Sequence, residues 1–224
     1  MGRDITLIAS DNFELGAYRA DPAATPKAAV VVIQEIFGVN HHIRAVCDRF
    51  AAQGYVAVAP AIFDRSERNF QSGYSADEVA VARKFVANPD WNAMLLDTQA
   101  AIDSVKDTGP VGIIGFCLGG SVAYAAASKL SGLSAAVGYY GGAILRFADD
   151  KPKVPTQLHF GEKDHGIPLT DVETIRAKRP DVEIFVYPGA QHGFGCDERA
   201  SYDKPSADLA RQRSLAFFAE HLQK

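Results

Sequence analysis

Only three of the 224 residues are cysteine (Cys47, Cys117 and Cys196), an odd number without the paired spacing of a disulfide framework. Free thiols in a reducing cytoplasm are the simplest setting. Basic residues do not cluster: 23 Lys and Arg stand against 27 Asp and Glu, a net charge of -4. With no basic stripe, no nucleic-acid partner is expected. No uninterrupted apolar run approaches about 18 residues, so no membrane span is expected. The start, Met1-Gly-Arg-Asp, has no apolar core of a secretory leader. Neither H-E-x-x-H nor paired C-x-x-C occurs, so no metal centre is expected. Gly112 and Gly115 lack the G-x-G-x-x-G spacing of a nicotinamide site, and no cofactor of any kind is expected.

What is present reads as one α/β domain over residues 1–224. Hydrophobic residues make up 47%, normal for a globular fold with a sizeable core. Ile5-Thr-Leu-Ile and Leu15-Gly-Ala-Tyr-Arg flank Asp11-Asn12 as a hairpin. Ala28 to Ile33 and Tyr55 to Ala59 are continuous apolar runs, the pattern of strands buried on both faces. Ile43 to Gln53 has helical spacing and stops at Gly54. Residues 64–74 are polar and read as a surface loop. Ser75 and Glu78 form a capping-box pattern for a helix running towards Val86, and Asp90 to Val105 is a second helical stretch. Strands over 111–115, 133–140, 156–160 and 182–187 follow, with helices over 118–130 and 205–222. This alternation predicts a mostly parallel central sheet with helices on both faces.

Val111 to Gly120 reads as an apolar strand, a sharp turn carrying Cys117, and a small-residue helix start. It matches the G-x-S-x-G nucleophile elbow with cysteine in place of serine. Alone, G-x-C-x-G also fits ordinary packing glycines around a buried thiol. Asp164 and His192 change the weight. Each lies in a loop directly after a predicted strand, at the sheet edge where open α/β folds collect ligands. The order nucleophile, acid, histidine is that of α/β-hydrolases. Of the other histidines, His159 falls inside a strand and reads as a hydrogen-bonded structural residue. Gln34-Glu35-Ile36-Phe37-Gly38 follows the first buried strand. In an α/β-hydrolase this loop and the residue after the nucleophile supply the oxyanion-hole amides, here Ile36 and Leu118.

At these residues the chain resembles the dienelactone hydrolases (carboxymethylenebutenolidases), a cysteine-bearing branch of the α/β-hydrolases. The matching pieces are Gln34 to Asn40, Gly115-Phe-Cys-Leu-Gly-Gly120, Val137-Gly-Tyr-Tyr-Gly141, His159 to Asp164 and Gly189 to Phe194. The resemblance implies an α/β-hydrolase fold without a cap domain and a Cys117–His192–Asp164 triad. It also implies that Glu35 contacts the resting thiol and yields it when substrate enters. Family members place an arginine four residues after the histidine to meet a substrate carboxylate; here that position is Cys196, followed by Asp197, Glu198 and Arg199. Arg83 is the nearest match to a second arginine of the family, and Phe37, Tyr139, Tyr140 and Phe194 are candidate pocket walls. The expected activity is hydrolysis of a small-molecule lactone or ester through an acyl-thioester. A thioesterase or general carboxylesterase with the same residues, or a redox-sensing thiol protein, are the alternatives. A monomer or weak homo-oligomer is expected.

Overall fold

The computed structural model describes residues 2–223. Strands β1 (Arg3–Ile8) and β2 (Glu14–Ala20) form the antiparallel hairpin, turning through Asn12 at φ 65°. Strands β3 (Ala28–Ile33) and β4 (Tyr55–Pro60) are buried at every residue. Between them runs α1 (His41–Ala52), whose N-terminus is capped by the Asn40 side chain accepting from the Ile43 N–H. Gly54, at φ 92°, takes the chain out of the helix and into β4.

The Ser75–Glu78 capping box starts α2 (Ala76–Ala82), which continues as a 3-10 turn over Arg83–Val86. Asp90 caps α3 (Trp91–Asp103). Then strand and helix alternate: β5 (Val111–Phe116), α4 (Leu118–Lys129), β6 (Ala135–Tyr139), α5 (Ile144–Phe147) and β7 (Thr156–Gly161). After these come α6 (Leu169–Lys178), β8 (Glu183–Tyr187) and α7 (Lys204–His221).

All eight strands join one sheet in the order β1-β2-β4-β3-β5-β6-β7-β8. Only the β1–β2 and β2–β4 pairs are antiparallel. Helices α3, α4, α5 and α6 pack successively on one another, while α1 meets α7 through Phe50 and Phe218, with ring centroids 5.9 Å apart. Between β6 and β7 stands only the four-residue α5, so no lid is inserted there. Among the described residues no helix is long and apolar enough to cross a membrane.

The expected strands and long helices are all found. Helices α5 and α6 lie outside that expectation. So does the packing of residues 64–74, which are only partly a surface loop. Asp64 is buried, Phe70 packs tilted against the stacked Phe63 and Phe85 rings, and Gln71 bridges to Gly38. The segment is held down over the loop that follows β3.

Candidate active site

Cys117 sits between β5 and α4 at φ 55° and ψ -115°, a region that costs a non-glycine residue about 1–3 kcal/mol. Its backbone is fixed on both sides. The Cys117 N–H donates to the Tyr139 carbonyl at 3.0 Å, and its own carbonyl accepts from Gly120 at 3.0 Å. The flanking glycines are a steric requirement. A Cβ on Gly115 would lie 1.9 Å from the Gly119 carbonyl oxygen, and one on Gly119 would lie 2.4 Å from that of Ile33. Strand, turn and helix therefore touch backbone to backbone, leaving the thiol partly exposed at the N-terminus of α4, where the helix dipole favours negative charge.

Asp164 follows β7 and His192 follows β8, and their side chains meet with His192 Nδ1 2.7 Å from Asp164 Oδ2. The Asp164 side chain is 1% exposed and its other oxygen accepts from the Gly166 N–H at 2.9 Å. The carboxylate is thus fixed, and it orients the ring. Ser201 Oγ donates to the His192 carbonyl at 2.7 Å, pinning the loop from below. Burial opposes the imidazolium, but the charges of Cys117 and Asp164 outweigh it and raise the His192 pKa to about 10. The structure thus brings Cys117, His192 and Asp164 together at one sheet edge.

Glu35 is 1% exposed. Its Oε1 accepts from Arg199 Nη1 at 3.0 Å and its Oε2 from the Tyr74 hydroxyl at 3.5 Å. The guanidinium also lies over the rings of Phe37 and Tyr74, at 5.6 and 6.0 Å from their centroids. Tyr74 is held in turn by the Asn40 amide at 3.1 Å. The Ile36 N–H, in the loop after β3, and the Leu118 N–H, at the first residue of α4, have no acceptor among the described residues.

The candidate wall residues divide. Phe37 is buried edge-on against Tyr74, with centroids 4.7 Å apart. Tyr140, held at φ 37°, packs against His192 at 5.1 Å between ring centroids and against Phe194 at 5.4 Å. Tyr139 instead directs its hydroxyl to Ser214 of α7 at 2.8 Å. It lines a cavity of about 340 Å³ shared with Val46, Phe50 and Arg211, a cavity that includes neither Cys117 nor His192. Arg83 is exposed and its side chain makes no hydrogen bond or ion pair among the described residues. His159 is fully buried and bonded to Tyr187, Gln157 and Ser214, as a structural histidine.

Two residues at Glu35 were not anticipated. Arg199 stands seven positions after His192, not four, and folds back over Gly193. A Cβ there would lie 2.5 Å from Arg199 Nη1, and the glycine's φ is 79°. That glycine is the one signal in the sequence that room was left for a returning side chain. Tyr74 arrives from the segment read as a surface loop, and only the packing of that segment on Gly38 reveals it. The same neighbourhood gathers His42 and Cys196 close to Glu35, a convergence that no spacing motif announces.

The model of the dienelactone hydrolase family matches residues 15–222. A Synechocystis protein provisionally named carboxymethylenebutenolidase is 37% identical, with 98% of this chain and 97% of the relative covered. The carboxymethylenebutenolidase of Pseudomonas putida is 31% identical over 96% of this chain and 95% of its own length. Among solved structures, a provisionally named dienelactone hydrolase of Klebsiella pneumoniae superposes with a TM-score of 0.86 at 31% identity, covering 98% of this chain and 99% of that one. Matched nearly end to end in sequence and in three dimensions, this chain belongs to the dienelactone hydrolase family of α/β-hydrolases and is a hydrolase.

Proposed function

We propose that this hydrolase opens a small lactone, or cleaves a small carboxylic ester, through a Cys117 acyl-thioester. The observation that carries the reading is the 2.7 Å contact of His192 Nδ1 with the buried Asp164 carboxylate, beside the strained Cys117. Asp164 leaves Nε2 of His192 as the nitrogen that exchanges protons with the thiol. The thiolate attacks the carbonyl carbon, and the oxyanion accepts from the Ile36 and Leu118 N–H groups. Such donors are each worth about 2.7–4 kcal/mol in a transition state. The C–O bond to the ring or leaving oxygen breaks, and the imidazolium returns its proton to that oxygen. Water, deprotonated by His192, then attacks the thioester carbonyl, releasing the acid and restoring the thiol.

Arg199 bears on the substrate class. Held on Glu35 and partly exposed, it offers a guanidinium that a carboxylate at the far end of the acyl group can engage. A lactone bearing a carboxylate is therefore the substrate favoured over a neutral ester or an acyl thioester. Phe37 and Tyr140 wall the acyl group.

The test is turnover of dienelactones, an activated aryl ester and acyl thioesters by wild type, Cys117→Ala and His192→Ala. Each variant is expected to lose at least about 10³-fold in kcat, as members of a nucleophile–base pair do. Near-wild-type turnover by either one sinks the proposal. Fast peroxide oxidation of Cys117 without turnover of any ester in the panel would mark a thiol sensor instead.

A further inference from the structure

Next to the Glu35–Arg199 pair lie polar groups that ester hydrolysis does not use. His42, in the first turn of α1, is 1% exposed. Its Nδ1 stands 3.3 Å from Asp197 Oδ1, whereas Nε2 is buried with no hydrogen-bond partner among the described residues. A carboxylate only accepts, so Nδ1 carries the proton and Nε2 presents a bare lone pair. Burial lowers the His42 pKa, which keeps the imidazole neutral, the form that binds metals. Cys196 is fully buried, its thiol donating to the Tyr74 oxygen at 3.3 Å. Glu35 Oε1 is taken by Arg199, but Oε2 has only the 3.5 Å contact from Tyr74. One ligand atom from each of Glu35, His42 and Cys196 lies within 4.8 Å of the other two.

We propose that Glu35, His42 and Cys196 bind one thiophilic divalent cation of the zinc type. A buried imidazole nitrogen with no partner is a costly arrangement unless something occupies its lone pair, and a mixed N, O, S donor set fits zinc. Bonds of about 2.0–2.3 Å at tetrahedral angles put ligand atoms roughly 3.3–3.6 Å apart, so the three side chains draw in by side-chain adjustment without backbone rearrangement. Asp197 stands behind the imidazole as an orienting carboxylate. Three protein ligands leave the fourth position to water.

Binding forms metal–N, metal–O and metal–S bonds, displaces waters of the hydrated cation into solvent, and breaks the Cys196 S–H bond, whose proton also leaves to solvent. No electron changes hands. The cation and Arg199 compete for the Glu35 charge. Arg199, paired with Glu35, and Asp197, paired with His42, have side chains 21% and 51% exposed.

The full chain, stripped with chelator, is titrated with Co²⁺ and followed by thiolate-to-cobalt absorption, and Zn²⁺ is then added to displace the cobalt. Cys117 and His192 also bring a sulfur and an imidazole together, so Cys117→Ala is the reference background. The expected result is one equivalent bound in wild type and in Cys117→Ala, with the charge-transfer band lost in Cys196→Ser. His42→Gln should weaken binding at least tenfold and Asp197→Asn about tenfold. Far-UV circular dichroism checks each variant's fold, and His42→Gln carries the test should Cys196→Ser misfold. No band in wild type, or a band kept in Cys196→Ser and lost in Cys117→Ala, overturns the proposal. Because the site is read in the variant lacking the nucleophile, its failure and the failure of the hydrolytic reading are separate results.

Discussion

A single side chain, Arg199, decides how Glu35 behaves. Among the described residues the buried carboxylate has one close cationic partner, at 3.0 Å, and removing it leaves a buried charge uncompensated. Such losses typically cost about 3–5 kcal/mol. Arg199→Gln is expected to lower thermal stability. It should also raise KM for a carboxylate-bearing lactone at least tenfold, while a neutral aryl ester loses less; Arg199→Lys should recover part of both. Equal loss on charged and neutral substrates would remove Arg199 from substrate recognition. Cys117, Asp164, His192 and Glu35 were legible as candidates, because each stands in a short motif whose geometry is local. Arg199 and Tyr74 were not legible, since both reach Glu35 across loops whose path is set by packing on Phe37 and Gly38. A seven-residue return over Gly193 follows no spacing rule.

At the scale of elements, the site depends on β5 and α4 meeting backbone to backbone. A methyl on Gly115 would overlap the Gly119 carbonyl at 1.9 Å, and no flexible side chain is there to yield. Gly115→Ala must push strand and helix apart. Overpacking of this kind costs about 1–3 kcal/mol, and each kcal/mol is worth about 2–4 °C in Tm for a chain this long. A Tm lower by roughly 2–12 °C by calorimetry, with ester turnover reduced far more than stability, is the expected outcome. Unchanged activity would show that the elbow tolerates separation. Strands β3 and β4 were readable as buried apolar runs, α1 by its helical spacing and the Gly54 stop, and α2 by its capping box. Helix α6 escaped because it buries only Val172 and Ile175 and begins at Pro168 with no side-chain cap. Helix α5 is one turn long, below what periodicity can register.

For the whole molecule, His159 ties the sheet to α7. Fully buried, it is held neutral, its pKa lowered to about 3 by burial and by the Arg213 charge. Between about pH 6.5 and 3 the unfolded chain binds a proton that the native state refuses, so stability rises with pH across that window and falls on acidification. From the shift, roughly 2 kcal/mol is lost between pH 7 and 5. Thermal melts at these two pH values should therefore differ more in wild type than in His159→Gln; equal differences would show that His159 does not govern the acid limb.

The three cysteines are sorted by access: Cys47 and Cys196 lie in the interior and Cys117 alone opens outward. The molecule thereby carries its own stoichiometric marker. A small alkylating reagent applied to the native fold should add one adduct per chain, and the mass of the intact protein would then count the correctly folded chains in any preparation, whatever substrate it is finally given.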